Sequence, residues 1–139
     1  MLIHLKNNLK LNAVKIMSIA PDKNDYLIEL LGGNKLVLLA DQYPWLMKIC
    51  GFLIKLKSGI AINSFEIAGI DYREGVPILI GSNGSIFSLE ASEIDLLFGD
   101  IEKENGEVKN GVFETATHLE KRSQFLQSKN VNCEDYKKL

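Results

Sequence analysis

Tyr26-Leu27-Ile28-Glu29-Leu30-Leu31-Gly32-Gly33-Asn34-Lys35-Leu36-Val37-Leu38-Leu39 places two apolar runs on either side of a Gly-Gly-Asn step. Glycine and asparagine reach positive φ at little steric cost, which is what a tight reversal between two strands demands. The stretch therefore predicts an antiparallel hairpin. Upstream, Leu11 to Ile19 reads as extended chain, and Pro21-Asp22-Lys23-Asn24-Asp25 concentrates turn formers ahead of Tyr26. The first forty residues predict a three-stranded antiparallel meander, extended by Ile3 and Leu5.

Downstream, Asp41 and Pro44 are the residue types that open a helix: a side-chain acceptor for free N–H groups, then a proline whose missing donor costs nothing. Trp45, Leu46, Ile49 and Phe52 or Leu53 follow at helical spacing, and Gly51 weakens the continuation. Ile60 to Tyr72 is strand-like, with Gly69 marking a bulge or bend. Arg73-Glu74-Gly75 turns the chain into Val76 to Ile80, and Gly81-Ser82-Asn83-Gly84 turns it into Ser85 to Leu89. Ser92 then opens a short helix that runs to Phe98 and stops at Gly99.

Each half thus reads strand, glycine turn, strand, helix. The expected fold class is α+β: a small antiparallel sheet built from two approximate ββα halves joined near Gly59, followed by a C-terminal amphipathic helix. Residues 1–99 form the domain, and 100–111 are a charged, glycine-punctuated linker or loop. Residues 112–139 carry a helical extension and polar tail, in which Val112, Ala116, Leu119 and Leu126, flanked by Phe113 and Phe125, make one apolar face.

Composition narrows the function. The 139 residues are 46% hydrophobic and 24% charged, with 16 basic against 18 acidic side chains and a net charge of −2, an ordinary globular balance without a global field toward polyanions. Only Arg73 and Arg122 offer the planar guanidinium fork that reads phosphate and guanine. Cys50 and Cys133 lie far apart with no CxxC spacing, so no disulfide framework is expected. The N-terminus is too polar for a signal peptide, and no run approaches the roughly 18 apolar residues of a membrane span. A cytoplasmic location is expected.

No motif for chemistry emerges. His118 and Glu114 share a helical face but lack a nucleophile, which favours solvated surface residues, and His4 is weaker still. Asp22 and Asp25 lack the alternating ligands of a calcium loop. Both glycine turns lead into strands, whereas phosphate-cradling loops lead into helices. An enzyme is not expected, and no cofactor or metal is implied.

Val14, Asp25-Tyr26-Leu27, Gly33-Asn34, Asp41 and Pro44, then Asn83-Gly84, Leu89, Ser92, Glu93 and Leu97, resemble the pattern of a family of small bacterial domains of unknown function. That resemblance covers residues 12–98 and implies a non-catalytic partner module of antitoxin-like character; the segment after Gly99 has no counterpart in it. The leading expectation is a non-enzymatic interaction protein, of inhibitor, immunity or antitoxin type, that binds a protein partner or a second copy of itself. Trp45, Met47, Val112, Phe113, Ala116, Leu119 and Leu126 would carry the contact. The alternative is a nucleic-acid-binding protein using Lys6, Lys10, Lys15 and Lys35 on the N-terminal sheet.

Overall fold

The computed structural model describes residues 1–6, 8–98, 123–127 and 131–132. The chain forms β1 (Leu2–His4), β2 (Lys10–Asn12), a 3₁₀ turn (Ala13–Lys15), β3 (Ile16–Asp22), β4 (Asp25–Leu30), β5 (Lys35–Leu38), a second 3₁₀ turn (Ala40–Gln42) and α1 (Tyr43–Ile49). It continues with β6 (Leu53–Lys55), β7 (Ala61–Asn63), a third 3₁₀ turn (Ser64–Glu66), β8 (Ile67–Arg73), β9 (Val76–Gly81), β10 (Ile86–Ser88) and α2 (Ala91–Phe98). Residues 123–127 are helical, and β11 (Val131–Asn132) closes the list. The fold is α+β, as expected.

Among the described residues the strands make three sheets, ordered β11-β1-β2, β5-β4-β3-β7-β6 and β10-β9-β8. The five-stranded sheet is buried on both faces at its centre, where β3 and β7 pair, while Val37 on the edge strand β5 is exposed. One face, with Ile16, Ile19 and Ala61, packs with Ile3, Leu5 and Leu11 of the first hairpin and with Trp45 and Leu46 of α1. The other face, with Met17 and Ile62, packs with Leu79 and Phe87 of the third sheet and Leu97 of α2. A bulge between Ile16 and Ser18 interrupts the alternation, so Ile16 and Ile19 both reach the first core while Met17 turns to the second.

The predicted meander is present: β3 pairs β4 and β4 pairs β5, all antiparallel, with the Gly32-Gly33 turn between the last two. Gly33 sits at φ 91, and Gly84 in the matching turn of the second half at φ 87. At both positions a side chain would be strained.

The two halves expected from turn chemistry correspond much more closely than a ββα description conveys. Every element from β1 to β5 recurs 51 positions later: Leu2 matches Leu53, Lys10 matches Ala61, Ile16 matches Ile67 and Lys35 matches Ile86, and α2 begins at Ala91, where the first unit has its second 3₁₀ turn from Ala40. The correspondence extends to fine detail. The bulge recurs between Ile67 and Gly69, and the left-handed residues Lys23 (φ 56) and Glu74 (φ 53) occupy equivalent turns. The bonds Leu31 N–H to Lys15 O (2.8 Å) and Ser82 N–H to Glu66 O (2.9 Å) are likewise equivalent. Each unit is a hairpin, a 3₁₀ turn, a three-stranded meander and a helix.

Several local expectations are corrected. The halves join at Gly51 rather than near Gly59, because the hairpin β6–β7 opens the second unit. Leu11 to Ile19 is not one strand: the 3₁₀ turn at Ala13–Lys15 carries the chain from the outer sheet to the central one, and Ser64–Glu66 does the same in the second unit. The helix ends at Ile49, and Leu53 begins a strand whose side chain is buried. Asp41 caps no helix; its carboxylate takes the Lys6 ammonium at 2.6 Å.

The junction of the units is the pairing of β3 with β7, with Ser18 opposite Ile62 and Ile19 opposite Ala61. Asn63 locks it. Fully buried, its Nδ2 donates to Val14 O (3.1 Å) and Ile16 O (2.8 Å), and its Oδ1 accepts from Phe65 N (2.9 Å). Removing that amide strands two carbonyls in a dry site. Asn63→Ala is expected to lose about 3 kcal/mol. Asn12→Ala, at the matching but exposed position, should stay within about 0.5 kcal/mol. Urea unfolding of the two variants against the parent checks both, with midpoint shifts at unchanged slope.

Candidate nucleic-acid interface

The four lysines are separated by the fold. At one end of the sheets lie the β3–β4 and β8–β9 turns and the entries to both helices; Lys6 is at this end, committed to Asp41. The equivalent Lys57 repeats the arrangement, 3.0 Å from Glu90 and 2.7 Å from the Ser92 hydroxyl, so in each unit a lysine ties the hairpin to the helix entrance. Lys10 is exposed on β2, opposite His4, on the outer sheet.

Lys15 and Lys35 both lie at the opposite end, beside the Gly32-Gly33 turn. Lys15 closes the first 3₁₀ turn, and its carbonyl accepts from Leu31 at the start of the Gly32-Gly33 turn. On the other side of that turn, Leu30 N–H donates to Asn34 O (2.8 Å), which fixes Lys35 as the first residue of β5. Both side chains are exposed, and neither forms an ion pair among the described residues. Two carboxylates also stand at this end and keep their charge: Glu29, opposite Lys35 in the β4–β5 register, accepts from the Ser85 hydroxyl (2.8 Å), and Glu66 accepts from that of Ser82 (2.7 Å). These bonds also bring the turn at residues 81–85 beside the first unit, giving a surface of two glycine turns and two lysines.

The residues expected to meet a protein partner divide differently. Trp45 is 2% exposed and belongs to the first core, a correction that follows from α1 filling the space between two sheets. Met47 is half-buried against the same cluster. Leu126 is 58% exposed, whereas its neighbour Phe125 turns inward, edge-on to Phe52 at 4.8 Å. Val112, Phe113, Ala116 and Leu119 lie outside the described residues, as do His118 and Glu114. Residues 131–132, expected within a polar tail, pair in parallel with Ile3 and His4.

Asn63 escaped the sequence reading although the repeat marks it, since Asn12 and Asn63 are identical residues at equivalent positions. Among the described residues no three His, Cys, Asp or Glu side chains gather as metal ligands, and no helix is long and apolar enough to cross a membrane. Tyr43 stacks on Tyr26 with ring centroids 3.9 Å apart, and burial, then the neighbouring Tyr26, push its phenol up.

No family model and no curated protein matches the chain. Among solved structures it is similar to the LytTr DNA-binding domain of a methyl-accepting/DNA response regulator from Bacillus cereus, with a TM-score of 0.50 and 13% identity. The likeness covers 68% of this chain and 92% of that one. At this identity it is a likeness of fold.

Cys50 offers a probe of the first core. Burial pushes its thiol from 9.0 up to about 12, with the N-terminal ammonium acting weakly the other way. The folded chain therefore holds this proton where the unfolded chain has lost it, and stability falls as pH rises above about 9, by about 1.4 kcal/mol per pH unit from this group. In a Cys133→Ser background, Cys50 should resist a thiol reagent at pH 8 until the protein unfolds. Cys50→Ala should flatten the alkaline limb of the stability profile measured by urea titration.

Proposed function

We propose that the protein is a DNA-binding module that meets the phosphate backbone with the end of the central sheet formed by Lys15, the Gly32-Gly33-Asn34 turn and Lys35. The observation that carries this reading is that two exposed lysines without an ion pair among the described residues flank one exposed glycine turn. A fold similar to that of a DNA-binding domain supports it.

The physical terms are modest. A net charge of −2 provides no long-range attraction. Attraction is confined to the turn, where two ammonium groups displace counterions from adjacent phosphates and exposed backbone N–H groups and asparagines supply neutral donors. The one arginine among the described residues, Arg73, ends β8 at the far end of the sheets, away from this turn, so the bidentate guanine contact does not come from it. Binding of this kind positions a protein on a duplex more than it reads sequence.

A protein partner, the leading expectation from sequence, loses Trp45 to the core and rests for the rest of its contact mainly on residues outside the described part. The DNA reading is therefore preferred.

Titrating a labelled duplex with the full chain across a salt series tests it. The log–log slope of affinity against salt should be about −2, the value for two neutralised phosphates. Lys15→Gln with Lys35→Gln should abolish it, and Lys6→Gln should leave it unchanged. Undetectable binding at low salt, or a slope indifferent to the double substitution, refutes the reading.

A further inference from the structure

The two glycine turns that the Glu29–Ser85 bond brings side by side share a backbone and differ in chemistry. Lys15, beside the first turn, corresponds to Glu66 in the second unit, and Lys35, the first residue of β5, corresponds to Ile86, the first residue of β10. The pairing is equivalent too: Lys35 stands opposite Glu29, and Ile86 opposite Ile80. Gly33 N–H donates to Leu30 O and Gly84 N–H to Gly81 O, each at 2.9 Å. Repetition of the fold thus gives Ile86 the setting of Lys35 without its charge, and Ile86 is 50% exposed.

These exchanges decide what each turn meets on a duplex. Lys15 and Lys35 attract phosphate. Glu66, whose carboxylate accepts from the Ser82 hydroxyl at 2.7 Å and keeps its charge, repels it, and Ile86 offers phosphate nothing. A half-exposed isoleucine gains by covering apolar surface, and the apolar group that B-DNA presents in its major groove is the C5 methyl of thymine. From Lys35 the path to Ile86 crosses one strand spacing to Glu29 and then the Glu29–Ser85 bond of 2.8 Å, a step on the order of 10 Å. That step fits within a major groove about 12 Å wide, between its phosphate edge and its bases.

We propose that Ile86 is a base-reading contact; the proposal rests on the DNA reading above. With Lys15 and Lys35 on the phosphates, the second turn enters the adjoining major groove and Ile86 packs on thymine methyls. The first unit positions the protein and the second discriminates, giving a preference for thymine that needs no guanidinium fork.

Titrating the full chain onto an alternating adenine–thymine duplex, and onto the same duplex with uracil for thymine, tests this, because uracil lacks only the methyl. Affinity should fall about fourfold with uracil, the effect of one methyl left uncovered, at an unchanged salt slope. Ile86→Ala should bind the two duplexes equally. Ile86→Lys, which gives the second turn the cation of the first, should steepen the salt slope from about −2 to about −3. Equal affinity of the parent for both duplexes, a thymine preference that survives Ile86→Ala, or a slope unmoved by Ile86→Lys overturns the assignment of Ile86, while a parent slope of about −2 leaves the DNA reading standing. Undetectable binding at low salt overturns both.

Discussion

The antiparallel pairing of β3 with β7 is the interaction on which the rest of this structure depends. It joins the two units into one five-stranded sheet and makes that sheet a wall of two cores at once. Strands buried on both faces, as β3 and β7 are, cannot use simple apolar–polar alternation, so successive residues must each find an apolar neighbour. The bulge between Ile16 and Ser18 directs Ile16 and Ile19 to the first core and Met17 to the second. Bulge and junction both need a polar lock, because an interrupted ladder leaves carbonyls without partners. Asn63 supplies it with three hydrogen bonds from one buried amide.

Repetition explains why different side chains at matching positions are tolerated. Backbone geometry is preserved to the level of turn dihedrals and single hydrogen bonds, as the equivalent φ values of Lys23 and Glu74 show. Side chains at matching positions follow their surroundings. Met17 packs so closely on Gly81 that a Cβ there would lie 2.7 Å from its sulfur, whereas the first-unit equivalent of Gly81 is Leu30, at a place where no such sulfur presses. Lys6 pairs with Asp41, and Lys57 meets Ser92 and Glu90, so the tie from hairpin to helix entrance survives a change of acceptor. A lysine retained at such a tie holds the architecture together, and its charge is largely spent there.

That distinction organises the surface chemistry. Lysines in a sequence are interchangeable positive charges until the fold assigns their neighbours. Lys6 is neutralised at one end of the sheets, Lys10 stands on the outer sheet, and Lys15 and Lys35 flank the Gly32-Gly33 turn at the other end. With so small a net charge, local context of this kind decides which cations can act on a polyanion.

By itself the sequence determined the α+β class, the meander from β3 to β5, the turns at Gly32-Gly33 and Gly81-Ser82-Asn83-Gly84, the bulge near Gly69 and the existence of two related halves. These are legible because turn chemistry and apolar runs act over a few neighbouring residues. It also contained the 51-residue repeat, but fine correspondence such as Asn12 with Asn63 is hidden when surroundings have changed the residues between them. Only the tertiary structure decided that Trp45 lies in a core, that the chain crosses between sheets at Ala13–Lys15 and Ser64–Glu66, and that Lys15 and Lys35 lie at one end of the central sheet while Lys6 lies at the other. The physical reason is common to all three. Burial, sheet exchange and charge proximity are set by pairing between distant strands, above all β3 with β7, which no local pattern of residues encodes.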